Sequence, residues 1–212
     1  MKENQKHIAK LLLQINAIKL NPASPFTWAS GWKSPIYCDN RKTLSYPHVR
    51  EAIRDGFCEI IREKYPDAEG IAGVATGAIA HGMLVADKLG LPFVYIRSSA
   101  KGHGLGNLIE GEYKPGGKYV VVEDLISTGG SSLNAVEAMR EAGCEVLGMV
   151  AVFTYGFQTA VDNFSKNNCR LDTLSNYEVL IEHATETGYV KPSQVEILKE
   201  WRKSPATWMQ NL

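Results

Sequence analysis

The spacing of apolar positions changes character along the chain. Ile8, Leu11, Leu12, Ile15 and Ile18 recur every three or four residues, which predicts an opening helix with one buried stripe. Asn21-Pro22-Ala23-Ser24-Pro25 breaks it. Residues 26–41, FTWASGWKSPIYCDNR, are rich in aromatic and β-favouring side chains but cut by Gly31 and Pro35, so short strands around a turn are expected, forming a cap and not a core. Val49, Ile53, Phe57, Ile60 and Ile61 set a second helical stripe behind Pro47, ended by Tyr65-Pro66-Asp67. From about residue 71 the pattern becomes short apolar runs separated by helical stretches: GIAGVAT, a helix to about Lys88, LPFVYI, KYVVVED, a helix around 132–142, then VLGMVAVFTY. That alternation predicts βαβ units, an α/β fold with an open, mainly parallel sheet flanked by helices. Strands covered on both faces need no polar alternation, as in Val120-Val121-Val122. Helical stretches at about 176–188 and 193–203 close the chain.

A length of 212 residues suits one main core, and 44% hydrophobic with 22% charged residues is an ordinary globular balance. Lys plus Arg and Asp plus Glu are both 23, so no global field favours a polyanion, and a nucleic-acid or membrane-surface role would need a local basic patch. Cys38, Cys58, Cys144 and Cys169 lack the short paired spacing of zinc or redox motifs and are expected to be reduced and structural. MKENQKHIAKLLLQ has neither a long apolar stretch nor a small-residue cleavage site, and no apolar run approaches the roughly 20 residues that span a bilayer. A cytoplasmic protein without a membrane partner is the expectation.

Chemistry concentrates in residues 118–132, KYVVVEDLISTGGSS. An apolar strand delivers Glu123 and Asp124 to its carboxyl end, and a hydroxyl- and glycine-rich turn then feeds a helix. Thr128, Gly129, Gly130 and Ser131 can offer consecutive backbone N–H groups at the positive end of the helix dipole, a site suited to a phosphate dianion. Two carboxylates beside a phosphate make sense if they face sugar hydroxyls or a substrate-bound cation, and a phosphorylated ribose meets both demands. The plainer alternative is an acidic pair capping an ordinary Gly-Gly turn.

VVVEDLISTGGSS resembles the phosphoribosyl pyrophosphate signature of the type I phosphoribosyltransferases. The resemblance implies that family's fold over residues 1–212 as a single domain, with a core at about 46–175 and a small hood formed mainly by about 1–45 with C-terminal elements. It also implies phosphoribosyl pyrophosphate contacts at Glu123, Asp124, Leu125, Ile126, Ser127, Thr128, Gly129, Gly130 and Ser131, with residues 127–131 anchoring the 5'-phosphate. Residues 94–111, VYIRSSAKGHGLGNLIEG, place Arg97, Lys101 and His103 among Gly102, Gly104 and Gly106. That composition suits a mobile loop whose cations neutralise a departing pyrophosphate while closure excludes water. The loop is similar to the catalytic loop of the orotate phosphoribosyltransferases, and the 26–41 segment is similar to their amino-terminal cap. On that likeness Lys33 and Tyr37 line the pyrimidine site, Lys33 offsetting a carboxylate or phosphate oxygen and Tyr37 offering a flat apolar face. Ser127 is the best match to a further orotate contact. Ala75-Thr76-Gly77-Ala78 is a candidate second anion cradle.

Three positions depart from the common pattern of those relatives: Ser98 follows the loop arginine, His81 replaces a lysine of the first βα loop, and Gly156 or a neighbour replaces an orotate-holding arginine. His81 is read as either functional or a helix-surface or partner-facing imidazole. His7, His48 and His183 read as helix-surface residues, and Trp201 and Trp208 as covers for a core edge or subunit contact. The resemblance implies transfer of a 5-phosphoribosyl group from 5-phospho-α-D-ribose 1-diphosphate to orotate, with Lys101 and Asp124 catalytic. It further implies Mg2+ held mainly by substrate oxygens with no dedicated metal cluster, and a homodimer that shares the loop between subunits. Two rival readings stay open: a purine-type phosphoribosyltransferase, and a non-catalytic regulator that senses phosphoribosyl pyrophosphate and would need a basic face.

Overall fold

A computed structural model of the chain describes residues 2–28, 30–99 and 108–209. Residues 1–49 with 175–212 form one compact unit and residues 50–174 another. In the first unit, helix α1 (Lys2–Gln14) buries Ile8, Leu11 and Leu12. It stops short of the expected stripe, because Asn16 takes a left-handed conformation (φ 54°), which asparagine tolerates better than most residues. Ile18 is therefore still fully buried, but as the first residue of β1 (Ile18–Leu20) and not as a helical residue. Strands β2 (Phe26–Thr27) and β3 (Lys33–Ser34) pair antiparallel around a turn in which Gly31 has φ 87°, and β4 (Ile36–Cys38) pairs antiparallel with β1, setting Tyr37 opposite Lys19.

The second unit carries most of α2 (Pro47–Lys64) and a six-stranded sheet. Its strands in chain order are β5 (Gly70–Val74), β6 (Phe93–Ile96), β7 (Ile109–Glu110), β8 (Lys118–Ile126), β9 (Glu145–Thr154) and β10 (Leu171–Asn176), and their spatial order is β10-β9-β8-β5-β6-β7. Strands β9, β8, β5 and β6 are parallel, as the alternation predicts, while β7 runs antiparallel to β6 at the edge. Gly70–Val74 is buried at every residue and Val120, Val121 and Val122 are fully buried, the pattern of strands covered on both faces. Strand β8 continues two residues beyond the acidic pair because Leu125 and Ile126 still pair with Phe153 and Thr154 of β9.

Helices α3 (Ile79–Leu89), α4 (Gly130–Glu141) and α5 (Gln158–Lys166) belong to this unit. Helix α5 and strand β10 were not expected from the sequence. Each is short and mostly polar: α5 buries only Ala160 and Phe164, and β10 reads LDTLSN at a sheet edge, so neither carries a long apolar period. His81, read as a possible helix-surface group, is 1% exposed within α3, so that surface placement is corrected.

Helices α6 (Tyr177–Glu186) and α7 (Pro192–Lys203) return to the first unit. Trp201 is fully buried there, edge-on to Trp28 with ring centroids 5.7 Å apart and 5.4 Å from Tyr177. It is the centre of that unit's core, not the edge of one. All four cysteines are free thiols. Among the described residues no helix is long and apolar enough to cross a membrane.

Candidate active site at the strand carboxyl ends

A cavity of about 500 Å³ opens in the second unit at the carboxyl ends of β5, β6 and β8, where ligands of open parallel sheets bind. Three connections line it. The loop after β5 supplies Ala75, Thr76 and Gly77, the segment after β6 supplies Arg97 and Ser98, and β8 with the start of α4 supplies Glu123, Asp124, Leu125, Ser131 and Asn134. The topology thus gathers Arg97, Glu123, Asp124, Leu125 and Ser131, from segments that are distant in sequence, around one space.

The two acids differ sharply in environment. Glu123 is 5% exposed; its Oε1 accepts the N–H of Asp124 at 2.9 Å and its Oε2 accepts the hydroxyl of Ser132 at 2.8 Å. Burial, followed by the neighbouring charge of Asp124, pushes its carboxyl up to about 8. Asp124 is half-buried and packs against Gly77: a Cβ built on that glycine would lie 2.3 Å from the carboxylate Oδ2. The pair therefore sets a half-buried Asp124 beside a buried Glu123 whose charged form burial disfavours.

Beyond β8 the chain bends at Ser127 and Thr128 and enters α4 through Gly129, which has φ 82° and makes no side-chain cap. That conformation suits glycine, and an uncapped amino terminus leaves first-turn N–H groups available to an anion. A Cβ on Gly130 would meet no protein atom within 4 Å. Ile126 differs from its neighbours in this stretch: its side chain is fully buried, and its carbonyl accepts the N–H of Tyr155 at 3.1 Å. At the other rim the Arg97 guanidinium lies 3.4 Å from the Glu110 carboxylate, and the backbone N–H of Arg97 donates to the carbonyl of Leu108 at 2.8 Å.

Lys33 and Tyr37 lie in the first unit. The Lys33 ammonium donates to the Thr27 hydroxyl at 2.9 Å, and the 38% exposed Tyr37 ring sits 5.8 Å from that of Phe26. Lys101 and His103 lie outside the described residues. Ser132 and Asn134 went unnoticed in the sequence; their signal was position alone, in the first turns of the helix behind the glycines. Among the described residues no group of three or more His, Cys, Asp or Glu side chains could hold a metal ion.

The model of the phosphoribosyl transferase domain family matches residues 45–183, a span that contains every residue lining the cavity. Over 208 residues the chain is 63% identical to the orotate phosphoribosyltransferase of Porphyromonas gingivalis, covering 98% of this chain and 99% of that protein. The chain belongs to the orotate phosphoribosyltransferase family. Solved structures agree with the assignment. The orotate phosphoribosyltransferase of Aeropyrum pernix superposes with a TM-score of 0.76 at 27% identity, over 87% of this chain and 99% of that one. The UMP synthase of Leishmania donovani superposes with a TM-score of 0.79 at 25% identity, over 93% of this chain but 42% of the synthase, so the chain spans less than half of that protein. Strands β1 to β4, which carry Lys33 and Tyr37, precede the span shared with phosphoribosyltransferases at large. It is the likeness to orotate phosphoribosyltransferases along nearly the full length that reaches them.

Proposed function

We propose that the chain transfers the 5-phosphoribosyl group of 5-phospho-α-D-ribose 1-diphosphate to orotate, giving orotidine 5'-monophosphate and diphosphate, a step of pyrimidine nucleotide synthesis in the cytoplasm. The observation that carries the reading is the convergence, on one cavity, of an uncapped glycine-initiated helix, an accessible Asp124 and the cation of Arg97. A sugar bearing a monoester at one end and a diphosphate at the other needs those three features.

In the reaction the bond from the ribose carbon to the diphosphate oxygen breaks, the electron pair leaves with the diphosphate, and a ring nitrogen of orotate forms the new bond to that carbon, its N–H proton passing to solvent or to the departing diphosphate. Positive character builds on the sugar while negative charge builds on the leaving group. Asp124 faces the sugar hydroxyls and favours the developing cation, and Glu123 fixes the backbone beneath it through the Asp124 N–H. Residues 127–131 take the 5'-phosphate. Arg97 with Lys101 and His103 neutralises the diphosphate, and Lys33, Tyr37 and Ser127 recognise the pyrimidine. Mg2+, a hard ion that prefers phosphate oxygens and keeps several waters, would be carried mainly on the substrate, with Asp124 offering a hard oxygen ligand beside it. The working form is a homodimer in which the loop of one subunit serves its neighbour.

Turnover by the purified chain with Mg2+, phosphoribosyl pyrophosphate and, in parallel, orotate, hypoxanthine or adenine tests the reading. Orotate alone should be consumed. Turnover of a purine would move the chain to the purine-type enzymes, and ligand binding without turnover of any base would make it a sensor.

A further inference from the structure

Resting on that reading of the glycine turn as the monoester subsite, we infer that Asn163 of α5 is a positioning residue for the sugar 5'-phosphate, holding the Thr128 peptide so that its N–H side faces the ligand. The Nδ2 of Asn163 donates to the carbonyl of Thr128 at 3.0 Å. In a trans peptide the C=O and the following N–H lie in one rigid plane and point in opposite directions. A carbonyl tied back to α5 therefore turns the N–H of Gly129 away from α5. Were the plane to flip, a carbonyl oxygen would take the place of a donor beside a dianion, and attraction would become repulsion.

The neighbouring residue of the same helix reinforces the hold. Phe164 is 4% exposed, and a Cβ on Gly129 would lie 2.8 Å from its ring, so the ring packs directly beneath the turn. The carbonyl of Gly129 accepts the N–H of Leu133 at 2.9 Å, which fixes the other face of the turn as the first hydrogen bond of α4. Between Asn163 and Leu133 the peptides on both sides of Gly129 are thus held by their carbonyls. The turn is built from outside itself, by a helix that carries no ligand-binding motif of its own.

The test uses the full chain with Asn163→Ala and Asn163→Leu, the latter keeping side-chain size while losing the donor and adding no charge. Calorimetric titration with ribose 5-phosphate reads the monoester subsite, and titration with diphosphate reads the opposite end. Both variants should bind ribose 5-phosphate roughly 3- to 10-fold more weakly, the size expected for one hydrogen bond. Diphosphate affinity should stay unchanged. In turnover, KM for phosphoribosyl pyrophosphate should rise by the same factor with kcat nearly preserved, a split that simple loss of fold would not give. Ribose 5-phosphate binding within about twofold of the parent in the Leu variant would overturn the inference while leaving the proposed reaction intact. A parent chain that binds no ribose 5-phosphate and turns over no orotate would instead remove the reading, and this inference with it.

Discussion

The carboxylate of Asp124 rests against the backbone of Gly77, with no room for a methyl group between them: a Cβ at residue 77 would fall 2.3 Å from Oδ2 and 2.4 Å from Cγ. The loop after β5 and the end of β8 are therefore fitted to each other at the proposed sugar site. Gly77→Ala should displace the flexible carboxylate and not the backbone. We expect kcat/KM to fall by roughly 10- to 100-fold, in the range of a lost transition-state contact, with the unfolding midpoint little changed. A variant of undiminished kcat/KM would show that the fixed position of Asp124 is immaterial.

Glu123 gives a pH signature. Its carboxyl is raised from 4.5 to about 8 in the folded chain, first by burial and then by the charge of Asp124. Between those values the folded chain holds a proton that the unfolded chain has released, so this group's contribution is fully present below about 4.5 and is lost as pH rises through about 8. Glu123→Gln, which keeps the shape and can still accept the Asp124 N–H, should flatten that slope. Urea midpoints measured across the window for both chains provide the comparison, and parallel curves would contradict the assignment.

Away from the cavity, Asp172 ties α2 to the β10 edge. It accepts from the Lys64 ammonium and, at 2.7 Å, from the Tyr65 hydroxyl, with the Arg170 Nε 3.1 Å away. Burial alone would raise its carboxyl, but Lys64 and Tyr65, helped by Arg170, outweigh that and hold it below the usual range. Its contribution is present above the ordinary carboxylate range and fades as acid titrates it. Asp172→Asn should cost roughly 2–4 kcal/mol, because the Lys64 cation loses its buried partner. The midpoint should drop by about 5–10 °C with turnover per folded molecule unchanged. A loss confined to activity would contradict a purely structural role.

Lys101→Ala should lower turnover by roughly 10²- to 10⁴-fold with the fold retained. Asp124→Asn should weaken phosphoribosyl pyrophosphate binding and rate together. Co-expressing the two chains tests the shared loop: a mixed dimer retains one site with both residues intact, so part of the activity should return. Verified mixed dimers without recovery would place the loop over its own subunit.

The legible parts of the molecule were those in which neighbouring residues carry the whole signal. The run from Val120 to Ser132 states strand, acid pair, glycine turn and helix in one stretch, and the structure reproduces that order. Helix α5 and strand β10 were silent because an edge strand and a short surface helix need little apolar pattern. Ile18 and His81 misled for a related reason. A buried residue shows in the sequence as an apolar period, but Asn16 changed the element beneath Ile18, and an imidazole carries no mark of burial.

By itself the sequence determined the parallel α/β core and the acid pair and glycine turn proposed to meet a phosphorylated sugar, because both are written in contiguous residues whose periodicity and backbone chemistry are local. Only the tertiary structure decided that Glu123 is buried and Asp124 accessible, that Gly77 abuts the carboxylate, and that Asn163 and Phe164 hold the turn from behind. Those relationships join residues dozens of positions apart, and no local pattern encodes them. They arise when parallel strands bring separate loops to one end of a sheet.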